Sequence, residues 1–583
     1  MCGIYCIISK KPTHPKTLIT YFIKGILELQ NRGYDSIGYS ISLIDEKKNK
    51  TYTTHKLLNK LEMQQMIGIE NKYTECTKLS DMLVGHTRWA THGKNSIPNT
   101  HPHMCYMNRF AIVHNGIFEN CEKYRKDLLE KDVSFLSETD TEVIVNYISY
   151  NVHNGHSITD SLKKLQHIVK KNTSFIIVDT HSSETYVFVM TNPIILSAFD
   201  DNIIIVSEKY GLPENSSYVC LADGIHKITS EKINEIMENN KIYEKKDPML
   251  SYTKMINNKK TFFEEEIEQQ LNILKTDDPD KDKKIKHTRN LMEKYDNVIV
   301  VGCGSSYISG LYGSIIMMKK TYKRVICVNG CDFQEYHIPK KGRSMAILIS
   351  QSGETMDIIN IIDMLKENDV KIISYCNSHS STLSKKSDID INMCLGREIS
   401  VASTKSFTST MKFMDTMMGN HIDYSNIHIQ IGNSLKNIDC VYYNKFNSIT
   451  ILGDELNYPS CLEGVMKIKE VCYINSFAYT IKELKHGPLA LITDKSLVFI
   501  ISKNYTKDLS TAMEITARSG KVVMLTDEEN IDGENIKHII LPKGEISYYV
   551  SVIIFQYIAL GLSRLRKIDT DNPRNLAKSI TVA

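Results

Sequence analysis

The sequence has no Cys-x-x-Cys pair among its 14 cysteines, no Gly-Lys-Ser/Thr phosphate loop and a single tryptophan, Trp89. The first absence argues against structural zinc and a disulfide framework, and the second against a P-loop nucleotide site. Charge of one sign is also scarce. Lys+Arg is 71 against Asp+Glu 68, and a net charge of +3 offers no field for nucleic acid or an anionic membrane. The longest uncharged stretch, 546–562, is broken by Ser547, Ser551 and Gln556 and falls short of the roughly 18 to 20 apolar residues a membrane span needs, so it reads as a buried helix. No charged segment followed by an apolar run opens the sequence, which makes the cytoplasm the expected location.

What remains is an ordinary globular composition, 42% hydrophobic and 24% charged. The 583 residues correspond to roughly four domain-sized units by length alone. The first 240 or so mix short strand patterns (3–9, 175–179, 185–190, 202–207) with helical stretches such as 16–30, predicting an α+β sandwich. A polar, charged stretch follows, with an amphipathic helix expected over 262–274. Apolar strands then alternate with helical segments, the pattern of βαβ units and a parallel sheet. The pattern occurs twice: strands ending at Gly302 and Ser350 and opening at Lys371 recur at Gly453, Ser502 and Lys521, about 150 residues on. A duplicated doubly wound domain reduces the expected count to three.

Doubly wound sheets bind ligands at the carboxyl ends of their strands, where loops lead into helix N-termini. Two such loops are rich in hydroxyls: Gly302-Cys303-Gly304-Ser305-Ser306 and Ser350-Gln351-Ser352-Gly353-Glu354-Thr355. Without Lys or Arg, they suit a small phosphorylated molecule held by neutral donors; either loop alone is equally well read as helix capping. The matching second-repeat loop, 502–507, lacks the small hydroxyl set, so one phosphate site per chain is expected.

Cys2 carries different chemistry. Once Met1 is removed, thiol and α-amine sit on one residue. An α-amine with pKa about 7.7 to 8.0 is a better-tuned base at neutral pH than a lysine near 10.4. A second-position cysteine alone more often belongs to a buried strand. Here it is followed by donor-rich islands at 32–35, 85–93, 114–116 and 137–142. Arg88 suits a substrate carboxylate, Asp140 a substrate ammonium, and Asn115 with the Gly116 N–H an oxyanion, which together fit glutamine. In the second repeat, Glu463, Lys467 and Glu470 share one helical face, joined downstream by Glu483, Lys485 and His486. The bland reading of that face is a solvated salt-bridged stripe; its place after the repeat's first strand favours a site.

Cys2-Gly3-Ile4 followed by these islands is similar to N-terminal-nucleophile glutaminases, and with the duplicated sheet the whole chain resembles the glutamine:fructose-6-phosphate amidotransferase family. The resemblance implies an α+β glutaminase sandwich (2–240), a linker with a docking helix (241–285), two α/β doubly wound parallel-sheet sugar-isomerase (SIS) domains (286–440, phosphate-binding; 441–567, catalytic) and a C-terminal tail (568–583). It implies hydrolysis of glutamine at Cys2, with Asn115 and Gly116 in catalysis and Arg88, Trp89, Thr91, His92 and Asp140 around the substrate, Trp89 gating an ammonia channel. Cys303, Ser305, Ser306, Ser350, Gln351, Ser352 and Thr355 would hold fructose-6-phosphate, with Val401, Ala402 and Ser403 lining the sugar. Lys578 would form a Schiff base, Glu470 move the proton, Lys467 assist, and His486 open the ring from a neighbouring subunit of a homodimer or higher oligomer. No cofactor and no metal are implied. Departures from the family pattern are Phe477, Lys482 and the terminal Ala583; the first two flank His486. The short linker speaks against feedback inhibition by a nucleotide sugar. The competing readings are a non-catalytic sugar-phosphate sensor and another glutaminase-linked amidotransferase, which would need an ATP or phosphoribosyl-pyrophosphate loop absent here.

Overall fold

The computed structural model describes residues 2–90, 93–169, 172–182, 184–245, 260–528 and 536–578. The chain divides between Asn257 and Asn258 into two compact units.

The first unit is built on two antiparallel sheets. Strands β1 (Gly3–Thr13), β2 (Ser36–Ile44), β3 (Lys50–Leu58), β4 (Ser80–Arg88), β5 (His103–Met104), β6 (Phe110–Gly116), β7 (Thr173–Asp179), β8 (Thr185–Met190), β9 (Ile195–Phe199), β10 (Asn202–Val206), β11 (Ser217–Cys220), β12 (Gly224–Ile228) and β13 (Tyr243–Glu244) follow in order. They form an eight-stranded sheet, β13-β11-β9-β10-β1-β4-β2-β3, and a five-stranded one, β12-β8-β7-β6-β5. Side-chain alternation explains the layering. Ile4, Cys6, Met82 and Val84 meet Val113, Ile176, Val178 and Val187 between the sheets. Their neighbours Tyr5, Ile7 and Leu83 point outward onto Leu18, Phe22 and Ile26 of the helix Pro15–Leu29. On the opposite outer face, Phe110, Ile112, Phe175 and Ile177 pack against Val143, Ile144 and Ile148 of the helix Asp140–His153. The expected sandwich is therefore four layers deep, helix–sheet–sheet–helix.

The second unit contains the repeat. Strands β14 (Asn297–Gly302), β15 (Arg324–Asn329), β16 (Ser344–Ser350), β17 (Lys371–Cys376) and β18 (Ile389–Asn392) form one sheet, and β19 (Ser448–Gly453), β20 (Asn475–Tyr479), β21 (Ser496–Ile501), β22 (Lys521–Thr526) and β23 (Ile536–Ile540) the other. Their orders, β15-β14-β16-β17-β18 and β20-β19-β21-β22-β23, are the same topology twice, all parallel. β14, β16 and β21 are buried along their whole length, as parallel strands covered on both faces must be. The apolar helix Ile546–Leu565 has 83% of its most apolar stretch buried and lies in the same core cluster as residues of both sheets. The amphipathic helix Phe262–Lys275 contributes Phe263, Ile267, Leu271 and Leu274 to that cluster.

Candidate functional site

In the first unit, Cys2 directly precedes β1 and faces the end of β4, because Gly3 pairs with Thr87 across the ladder. The Trp89 N–H donates to Cys2 Sγ at 3.1 Å, and Sγ lies 3.6 Å from the Trp89 carbonyl oxygen. Burial pushes the thiol up, opposed by the Trp89 N–H and the Arg88 guanidinium. From β6, the Asn115 amide donates to the Cys2 carbonyl at 2.9 Å; an amide NH2 carries two hydrogens, so one stays available. Gly116 follows with φ of 128°, where an added Cβ would stand 2.2 Å from the Asn172 carbonyl oxygen. Both the positive φ and the close approach of the Asn172 backbone therefore require glycine at the end of β6.

Arg88, 3% exposed at the end of β4, donates to the carbonyls of Lys94 and Gly93 at 3.4 Å each. Asp140 opens its helix behind the Thr139 cap, and its Oδ2 accepts the Phe118 N–H at 2.8 Å. Trp89 sets its ring edge-on to Tyr34, centroids 5.4 Å apart. Thr91 and His92 lie outside the described residues. Beneath these groups is a histidine cluster that the sequence reading did not single out. His86 stacks on His101 at 4.2 Å and His101 meets His103 edge-on at 4.6 Å. The Thr141 hydroxyl bonds both His101 Nε2 and His114 Nδ1 at 2.9 Å, and His86 Nε2 bonds the His114 carbonyl at 2.9 Å. Burial pushes His86 down to about 3 and His101 and His103 well below the ordinary histidine range.

In the second unit the two hydroxyl-rich loops follow β14 and β16, adjacent parallel strands whose connections leave in opposite directions. That is the switch point where doubly wound sheets bind ligands. Ser305 and Ser306 open the helix Ser305–Lys320, and half-buried Cys303 precedes it. An added Cβ at Gly302 would meet the Ser306 backbone at 2.6 Å, so glycine lets the helix start tight against the strand. In the second loop Ser350 Oγ and Thr355 Oγ1 are 2.8 Å apart, Ser350 accepts the Gly353 N–H at 3.1 Å, and Ser352 accepts the Glu354 N–H at 3.1 Å. The Gln351 carbonyl accepts the Asn377 N–H. The corresponding second-repeat loop closes on itself: Ser502 donates to Asp508 at 2.6 Å and Asn504 caps the next helix through Lys507.

The Glu463–Lys467–Glu470 face is not a solvated stripe. On the helix Tyr458–Cys472, Lys467 and Glu463 are fully buried, and Lys467 Nζ reaches Glu463 Oε1 at 3.2 Å and Glu470 Oε2 at 2.7 Å. Ser305 donates to Glu463 Oε1 at 3.1 Å. Burial pushes the Glu463 carboxyl up to about 7, against the nearby Lys467 charge. Burial alone would lower Lys467, but the two carboxylates outweigh it and hold the ammonium well above its usual range. The face therefore offers a buried cation between two carboxylates, of which Glu463 titrates near neutrality. Glu463 and Ser305 are the links the sequence could not supply, because their contact joins residues 158 apart.

Lys578 is not brought to that face by any hydrogen bond or ion pair among the described residues; its Nζ donates to Glu398 Oε2 at 2.8 Å. Its tail is anchored further back. Both oxygens of Asp571 accept the first N–H groups of the helix Phe262–Lys275, at 3.0 Å from Phe262 and 2.8 Å from Phe263, and the Asp571 carbonyl accepts the Val401 N–H at 3.2 Å. Asp571-Asn572-Pro573-Arg574, which reads as a plain turn, thus carries a helix cap. Buried Ala402 lies between half-buried Val401 and Ser403 in the same loop, and Ser403 Oγ is 2.7 Å from Ser406 Oγ. His486 stands apart: its side chain is exposed at the end of the short turn Glu483–Lys485, with no side-chain bond to Glu463, Lys467 or Glu470 among the described residues. Phe477 is 36% exposed on edge strand β20, stacked on Tyr479, and Lys482 is exposed.

With the geometry in hand, the comparisons are consistent across the chain. A glutamine amidotransferase domain model matches residues 40–165, and a SIS domain model matches 291–418 and again 442–564. The chain is 31% identical to the glutamine–fructose-6-phosphate aminotransferase (isomerizing) of Francisella tularensis, covering 100% of both chains. It is also 31% identical to the protein of the same name from Wigglesworthia glossinidia brevipalpis and 29% identical to that of Pyrococcus horikoshii, again with 100% of each chain covered.

Proposed function

The chain belongs to the isomerizing glutamine–fructose-6-phosphate aminotransferase family, and from that premise we propose the roles that its own residues take in the two half-reactions. The protein is a class II glutamine amidotransferase: it takes nitrogen from glutamine and transfers it to fructose-6-phosphate, giving glucosamine-6-phosphate.

In the glutaminase half, the Cys2 thiol attacks the side-chain amide after its α-amine, freed by loss of Met1, takes the thiol proton. The carbonyl oxygen gains charge as the tetrahedral intermediate forms, and the second Asn115 amide hydrogen with the Gly116 N–H stabilises it. Arg88 holds the glutamine carboxylate and Asp140 its ammonium, and Trp89, Thr91 and His92 contribute to substrate binding. The acyl-enzyme then yields to water as glutamate, and ammonia passes on.

In the synthase half, Cys303, Ser305, Ser306, Ser350, Gln351, Ser352 and Thr355 hold the phosphate through hydroxyls and helix N–H groups, and Val401, Ala402 and Ser403 line the sugar. His486 of a neighbouring subunit opens the ring, Lys578 forms the imine, and Glu470 moves the proton between the first two carbons while Lys467 fixes its position. The proposed enzyme is a cytoplasmic homodimer or higher oligomer organised as 2–240, 241–285, 286–440, 441–567 and 568–583. The observation that carries the catalytic reading is the buried Lys467 shared by Glu463 and Glu470 at 3.2 and 2.7 Å and tied to the phosphate loop through Ser305. A pure binding protein has no need of a buried cation and two carboxylates beside its ligand loop. The test is glucosamine-6-phosphate formation from glutamine and fructose-6-phosphate, which Cys2→Ala abolishes with glutamine but leaves intact with high ammonia. Glutamine-dependent synthesis by Cys2→Ala would overturn the nucleophile assignment.

A further inference from the structure

A second buried charge cluster lies around Lys578, separate in its bonding from the Lys467 face. Glu398, 3% exposed, has more donors than an ordinary carboxylate. Its Oε1 accepts the Thr404 and Ser406 N–H groups, each at 3.1 Å, and the Ser406 hydroxyl at 3.1 Å. Its Oε2 accepts from Lys578 Nζ at 2.8 Å. The two backbone donors belong to the opening of the helix Lys405–Met417, whose N-terminal end favours negative charge. The carboxylate is therefore fixed by its own segment, and the tail lysine docks onto a socket already formed.

The surrounding charges come from three directions. Glu266, on the helix Phe262–Lys275, accepts the Ile399 N–H and, at 3.2 Å, the Ser400 N–H. Lys405 donates to Gln269 at 2.8 Å, and half-buried Arg397 immediately precedes Glu398. Burial raises the Glu266 carboxyl; it also works to raise that of Glu398, but Lys578 and Lys405 hold Glu398 well below its ordinary value. The direct contact with Lys578 favours negative charge on Glu398.

We propose that Glu398 is the positioning residue for Lys578: its carboxylate aims the ε-nitrogen and stabilises the positive charge that nitrogen carries once it is bonded to the sugar. The proposal rests on Lys578 being the imine-forming lysine. Lys578 gives up one proton to water and its nitrogen adds to the keto carbon of the open sugar; the former carbonyl oxygen takes one proton from that nitrogen and one back from solvent and leaves as water as a cationic carbon–nitrogen double bond forms. Ammonia adds to that carbon, the bond to Lys578 breaks, and the lysine departs as the amine while the new nitrogen retains the charge. A carboxylate 2.8 Å from Nζ favours the cationic form throughout, which is the form that ammonia attacks.

The experiment combines borohydride trapping with kinetics on the full chain. Fructose-6-phosphate plus borohydride should label Lys578 in the parent enzyme, read by peptide mass; a label elsewhere overturns the lysine assignment itself. Glu398→Gln keeps the shape and the backbone hydrogen bonds but removes the charge. The expected result is a 10- to 100-fold loss in kcat of ammonia-dependent synthesis with the KM for fructose-6-phosphate within about twofold, and a parallel loss of label. Parent labelling at Lys578 with unchanged kcat and label in Glu398→Gln overturns the Glu398 proposal. If Glu398→Gln does not fold, Ser406→Ala removes one hydroxyl donor to Glu398 and keeps the charge. It should lower kcat severalfold at constant KM, and a folded Ser406→Ala enzyme with parental kcat overturns the proposal equally.

Discussion

Ser305 lies at the head of the first repeat's anion loop, yet its hydroxyl donates to Glu463 on the second repeat's helix at 3.1 Å. Neither repeat alone contains both the hydroxyl-rich loop and the buried Lys467 face that it touches. The strand-order duplication places equivalent loops on both sheets, but the second-repeat loop has closed on Asp508 and Asn504, and its preceding helix supplies the titratable groups instead. In the proposed division, the first repeat binds and the second reacts.

Ser305→Ala should therefore affect binding and chemistry together. The single Ser305 hydroxyl proton goes to the Glu463 carboxylate and would turn to the phosphate of the proposed site when the sugar binds; a hydrogen bond to a charged group contributes about 1.5 to 3 kcal/mol. The expected outcome is a rise in the KM for fructose-6-phosphate of roughly 10-fold or more, with kcat also reduced because Glu463 loses its donor. Steady-state kinetics with ammonia as nitrogen source checks this. A KM within twofold of the parent value would show that Ser305 does not hold the phosphate.

The repeated sheets were legible because fully buried parallel strands read as continuous apolar runs, and their order recurs at constant spacing. The glutamine amidotransferase domain was legible because a second-position cysteine followed by ordered polar islands leaves a positional mark. Other parts depend on contacts that have no local signature. Asp571 caps a helix 309 residues away in sequence, from inside what reads as a turn. The histidines of the cluster are scattered over β4, β5, β6 and the loop before β5, and only the sandwich stacks them. Glu398 lies in a segment with no motif at all, and its partner is 180 residues distant.

Asn115 is the clearest single test of the glutaminase geometry. Its amide donates to the Cys2 carbonyl at 2.9 Å, and in the proposed mechanism its second hydrogen goes to the developing oxyanion. Loss of one such donor typically costs about 10²–10³ in kcat. Asn115→Ala should slow glutamine hydrolysis by about that factor while the KM for glutamine changes little. Hydrolysis measured without sugar, by glutamate release, reads the effect directly; a loss confined to KM would make Asn115 a binding residue.

The histidine cluster predicts how the first unit responds to acid. In the unfolded chain a histidine titrates near 6.5, whereas burial holds His86 at about 3 and His101 and His103 well below their ordinary range. Above about pH 7 all three are neutral in both states and pH has no leverage through them. As pH falls below about 6.5 the unfolded state takes up protons that the folded state refuses, and each histidine removes about 1.4 kcal/mol of stability per pH unit. The loss continues until the folded values are reached. Trp89 is the only tryptophan, so its fluorescence follows the unfolding of this unit within the full chain. The urea midpoint should fall steeply from pH 6.5 to 5, and His101→Gln should remove one proton from that dependence. An identical slope in the variant would place the acid lability elsewhere.

Asp571 links tail placement to synthesis without touching the reacting groups. Its carboxylate caps the helix Phe262–Lys275 through two N–H groups, and its carbonyl holds Val401. Loss of a helix cap costs about 0.5–2 kcal/mol, so Asp571→Ala should lower the melting temperature of the second unit by a few degrees. The greater consequence is geometric. Lys578 is seven residues farther along, and a tail released from its anchor presents the lysine to Glu398 only part of the time. Ammonia-dependent synthesis should fall at least 10-fold, a 1.4 kcal/mol effect, while glutamine hydrolysis without sugar stays within twofold. Asp571→Asn keeps one oxygen acceptor for the helix N–H groups and should recover much of the synthase rate. Equal loss in the alanine and asparagine variants would locate the effect in the charge of Asp571 and not in its cap.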